Sequence, residues 1–168
     1  MLLPPLSSPP TLPEWVKVLI IALSGVATGT LLEPLKQWIG LQYTSRRARK
    51  AIYKEMGMMF KVFSISSLPG ASAGFARSHI NHGYREDYDY YYKQQREAFH
   101  RIKEYYDIVG LYRFVERIRK DVLEDDADPL AAAKLIVADF EMRFKAGRLS
   151  SNLVKHYAED FMKAARQY

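Results

Sequence analysis

The chain has 168 residues, 48% of them apolar and 26% charged, with a net charge of +6 and no cysteine. This length suits one ordinary domain plus an appendage, and the balance excludes a disordered chain. Without cysteine there are no disulfides, no thiolate metal sites, no cysteine nucleophile and no lipidation on sulfur.

Residues 1–12 form a proline-rich tail with Pro4, Pro5, Pro9 and Pro10. Residues 13–39 are expected to be a transmembrane anchor. Fifteen residues without a charge separate Lys17 from Glu33, which is short of the ~20 apolar residues a span needs. The flanks extend it. Trp15 and Trp38 stand about 35 Å apart on a helix, a separation that suits two interfacial aromatic belts, and Lys17 can extend its head toward water. A cleaved signal peptide would need a positive start, but the first sixteen residues hold no Lys or Arg. A buried core helix would normally show a polar stripe, which Val18–Leu23 lacks. Pro13 fits a first helical turn, and Pro34 marks a bend. Gly25 and Gly29 form a GxxxG pair, a spacing that lets two helices approach closely in lipid and self-associate.

The charge then changes abruptly. Residues 36–61 hold Lys36, Arg46, Arg47, Arg49, Lys50, Lys54 and Lys61 against Glu55 alone. Basic residues next to a span stay cytoplasmic. The expectation is therefore an inner (plasma) membrane protein with its N-terminus outside and its body in the cytoplasm. Trp15, Lys17, Trp38, Arg46, Arg47, Arg49 and Lys50 would meet the membrane interface, and anionic headgroups would attract the basic cluster. Residues 40–63 are expected to form a basic juxtamembrane helix, because Ile52, Met56, Met59 and Phe63 recur on one helical face.

Residues 64–85 are expected to be a loop-rich connector, since Ser64–Ala76 is rich in Ser, Gly and Ala. His79 and His82 lie within it at i, i+3, the one spacing in the chain that suggests a metal. No second HxxH or ExxH accompanies them, so the expectation is no metal and no cofactor.

Residues 86–168 are expected to form a helical bundle. Four apolar stripes keep helical steps: Tyr88, Tyr92, Phe99, Ile102 and Tyr106; then Ile108, Leu111, Val115, Ile118 and Val122. Next come Leu130, Ala133, Val137, Phe140 and Phe144, and then Val154, Tyr157, Phe161, Ala164 and Tyr168. Asp128 before Pro129, Gly147, and Ser150 or Ser151 mark helix boundaries. The break between the first two stripes is expected near Asp107 or Gly110. The Tyr88–Tyr92 tract fits either core or a contact surface, and its acidic neighbours Asp87 and Asp89 argue against nucleic acid.

The fold class is thus all-α: a single N-terminal transmembrane helix followed by a small antiparallel helical bundle. No GxxxxGK[ST], GxSxG or HExxH motif is present. The functional expectation is a membrane-anchored protein whose cytoplasmic module binds another protein. The expected partners are the lipid bilayer, a protein of unknown identity and further copies of the chain itself through the glycine pair. The alternatives are a membrane enzyme using His79 and His82, or an assembly protein acting through the anchor.

Overall fold

The computed structural model describes residues 14–166. Among them the chain is all-helical: α1 Glu14–Ser66, α2 Ala73–His82, α3 Glu86–Gln94, α4 Arg96–His100, α5 Tyr105–Glu124, α6 Pro129–Lys145 and α7 Ser151–Ala165. The chain divides into two compact units, Met1–Gly40 and Leu41–Tyr168. Helix α1 contributes residues to both.

In the first unit, every residue from Leu32 to Gly40 is exposed. Pro34 lies inside α1 without ending it; the loss of one N–H falls on one turn of a long helix. Among the described residues no helix is long and apolar enough to cross a membrane. The side chains of residues 19–24, 26–29 and 31, on which the expected anchor depends, lie outside the described residues, as does the proline-rich tail.

The second unit holds a single core. Helix α1 supplies Ile52, Met56, Met59 and Phe63, all fully buried, so the face read from the sequence is the face that packs. Helix α5 buries Ile108, Leu111, Val115, Ile118 and Val122. Helix α6 adds Ile136 and Phe140, and α7 adds Val154 and Ala158. Phe60 meets the rings of Phe140 and Phe144 edge-on, with centroids 5.4 and 5.6 Å away.

The helix boundaries have local causes. The Asp128 carboxylate accepts from the N–H groups of Leu130 and Ala131 at 3.0 and 3.3 Å, ahead of Pro129. The Ser150 hydroxyl accepts from the Leu153 N–H at 3.4 Å. Helix α2 ends on Gly83, whose φ of 79° is the left-handed turn that glycine adopts without strain. Helices α5 and α6 are antiparallel, because Arg143 near the end of α6 donates to the Asp107 carbonyl near the start of α5, at 3.0 Å. Along α1 and α7 the contacts rise together: the Ser150 N–H donates to the Tyr53 hydroxyl at 3.1 Å, and Tyr157 meets Gly57. That pair departs from the antiparallel order.

Three sequence expectations need correction. The connector at 64–85 is largely helix: α1 continues to Ser66, and α2 buries Ala76 and Ile80 against the core. Small residues make poor stripes, but they permit helix wherever packing rewards it. The stretch from Tyr88 to Tyr106 is not one helix, since α3 and α4 are separate and residues 101–104 turn. That turn breaks the register, so Tyr106 is 85% exposed rather than in the core. Gly110 lies inside α5 and does not break it.

Candidate functional site

The second unit carries an unusual seam between α1 and α7. Gly57 makes it close. A Cβ built on Gly57 would stand 2.7 Å from the Tyr157 Cβ and 2.8 Å from the Ala158 nitrogen. Only a residue without a side chain lets the two backbones approach so nearly. Along one flank of this seam run two adjoining hollows of about 190 and 520 Å³, which share Lys50 and Tyr157. Their floor is Met58 from α1 with Leu153, Tyr157 and Phe161 from α7.

Their rim is basic. Arg46, Lys50 and Lys54 are exposed and lie four residues apart on α1, or roughly 6 Å of rise per step. None of the three has an ion pair among the described residues. Arg49, expected beside them at the membrane, is engaged elsewhere. Its guanidinium donates twice to Glu104, at 3.0 and 2.7 Å, and lies 4.9 Å from the centre of the Tyr53 ring. The hydrogen bond from Arg49 to Glu104 raises the arginine's pKa further. Burial pushes the Glu104 carboxyl up, but the guanidinium more than offsets it and the net direction is down. Arg49 thus ties α1 to the turn before α5.

A second constellation surrounds Glu55, the single acid of the basic stretch. It is 3% exposed. Its Oε2 accepts from the Asp87 N–H at 2.7 Å, and its Oε1 accepts from the Tyr112 hydroxyl. Asp87 belongs to the first turn of α3, so a side chain from α1 caps another helix across the core. Tyr88 stacks on Tyr112 with centroids 4.1 Å apart. Burial raises the Glu55 pKa to about 7, against the opposing hydrogen bonds. Burial likewise raises the Tyr112 hydroxyl well above its ordinary range. The arrangement joins α1, α3 and α5.

The remaining sequence candidates fall as follows. Tyr88 and Tyr91 are buried, whereas Tyr90 is 51% exposed, so the tyrosine tract serves both core and surface. His79 and His82 share α2, and the His79 Nδ1 is hydrogen-bonded to the Tyr84 hydroxyl. Burial lowers the His79 pKa. Among the described residues no group of three His, Asp or Glu could hold a metal ion. Trp15 and Trp38 are 68% and 53% exposed, and Lys17 lies 3.8 Å from Glu14. Arg47 is exposed beside Tyr90 and Tyr91. A Cβ built on Gly25 would meet nothing within 4 Å among the described residues, and Gly29 lies outside the described side chains.

Sequence reasoning missed the roles of Gly57 and Glu55 and the pairing of α7 with α1. Two signals were present: a lone acid within a basic run, and a glycine set among Met56, Met58 and Met59. No family model, curated protein or solved structure matches the chain.

Proposed function

We propose that this protein is a single-pass, membrane-anchored interaction module. Residues 13–39 cross the inner membrane with the N-terminus outside, and the helical body binds another protein on the cytoplasmic side. The observation that carries the reading is the exposed apolar set of the first unit. Leu32, Leu35, Trp38 and Ile39 are 45–54% exposed, next to fifteen residues without a charge. Contiguous apolar surface of this kind marks a membrane or protein contact. The basic run after it gives the orientation. The unpaired cations beside an apolar floor on α1 and α7 support the binding role.

Washing host membranes at alkaline pH tests the anchor. The chain is expected to stay with the pellet, and a reporter active only outside the membrane should work at the N-terminus and fail at the C-terminus. Release of the intact chain into the wash overturns the anchor and leaves the exposed apolar set to be covered by a protein.

A further inference from the structure

We infer that the flank of the α1/α7 seam rimmed by Arg46, Lys50 and Lys54 is a docking groove for an acidic amphipathic helix of a partner protein. This rests on the binding role proposed above and names its surface and partner class.

Four features converge on that occupant. The floor is apolar and aromatic, and Tyr157 and Phe161 are the kind of side chain that anchors protein contacts. These floor residues are half-buried between two helices, whereas Arg46, Lys50 and Lys54 are exposed. A flat bilayer meets convex faces and would touch the ammonium groups before the floor, whereas a helix can lie in the trough. The cations form one row, one per turn, and a facing helix presents carboxylates at the same interval when Asp or Glu recur at i, i+4 and i+8. Finally, these cations have no ion-pair partner among the described residues, while nearby Arg49 is paired with Glu104 and one carboxylate, Asp160, lines the larger hollow. The three rim cations outnumber that one carboxylate, and the net positive charge selects an acidic ligand.

The test uses the full chain in neutral-lipid nanodiscs and a synthetic helical peptide. The peptide carries Glu at i, i+4 and i+8 beside a Leu/Phe stripe. Controls are the same composition scrambled around the helix, and the same pattern with Lys in place of Glu. Fluorescence anisotropy should show the patterned peptide binding at least tenfold more tightly than either control, with affinity falling as salt rises. The double variant K50E/K54E should lose that preference and instead bind the Lys peptide. This reversal needs a folded protein and cannot come from unfolding. Equal binding of patterned and scrambled peptides overturns the proposal. So does a double variant that keeps its preference for the Glu peptide. If K50E/K54E weakens only the capture of phosphatidylglycerol vesicles, the groove is a lipid surface and the proposal also falls. A chain that stays in membranes at alkaline pH but fails these tests loses the groove and keeps the anchor.

Discussion

The two halves of α1 draw on similar apolar residues and meet opposite fates. From Leu32 to Gly40 every side chain is exposed, with Leu35 at 51% and Trp38 at 53%. From Ile52 to Phe63 the helix buries Ile52, Met56, Met59 and Phe63 completely. Helical propensity does not distinguish them; what differs is the supply of neighbours. The second half meets apolar stripes from α5, α6 and α7, and most helical stability comes from such packing. The first half has no packed apolar partner for Leu32, Leu35, Trp38 and Ile39 among the described residues. Burial thus separates the residues of α1 that hold the fold from those left exposed.

Truncation is the strongest way to break this contrast. Phe63→Ala should cost the second unit about 3–5 kcal/mol, the usual loss for emptying a filled aromatic site. Leu35→Ala should change unfolding by no more than about 0.5 kcal/mol. Denaturant titration of both variants, followed by tyrosine fluorescence, measures the difference. Equal losses would mean that the exposed half belongs to the same cooperative core.

Next in size is the pH dependence centred on Glu55. Its native pKa is raised to about 7 by burial, above the ordinary 4.5 of an unfolded glutamate. Between those values the native state holds a proton that the unfolded chain has released. Stability from this group is therefore complete below about pH 4.5 and is lost as pH rises through 7. At ~1.4 kcal/mol per tenfold change in proton affinity, the loss reaches roughly 3 kcal/mol. Glu55→Gln stays neutral throughout. Its stability relative to the parent should rise steadily between pH 4.5 and 8, as followed by thermal melts. Shifts at Glu104 and Asp89 run the other way, but they are present in both proteins and cancel in the difference. A flat difference would show that the carboxylate ionises inside the core without penalty.

How much of this was legible follows the same physics. The α5 stripe was readable because all five of its spaced residues face one core. The caps at Asp128 and Ser150 were readable because capping is local chemistry. Helix α2 was hidden, because Ala73, Gly74 and Ala76 give no stripe and only tertiary packing makes them helical. The docking groove was hidden for a related reason. The row Arg46, Lys50 and Lys54 was visible as charge, but its apolar floor comes from α7, about a hundred residues later. Glu55 looked like an isolated acid because its donors belong to α3 and α5.

The smallest effect compares one substitution at two glycines of the same helix. Alanine in place of glycine in a helix interior ordinarily gains about 1 kcal/mol through lower unfolded-state entropy. At Gly25 the new Cβ meets nothing within 4 Å, so Gly25→Ala should keep that gain in the helicity of the first unit. At Gly57 the new Cβ meets the Tyr157 Cβ at 2.7 Å and the Ala158 nitrogen at 2.8 Å. Neither atom is the end of a flexible side chain, so α7 must move as a whole. Overpacking of this kind costs about 1–3 kcal/mol, which cancels the propensity gain and leaves Gly57→Ala a net loss of up to about 2 kcal/mol. Because the strain is released by lifting α7, hydrogen exchange should quicken in residues 151–165 and leave α5 unchanged. A Gly57→Ala protein as stable as its parent, with α7 still protected, would show that the two backbones are not in close contact, and the groove beside them would lose its wall.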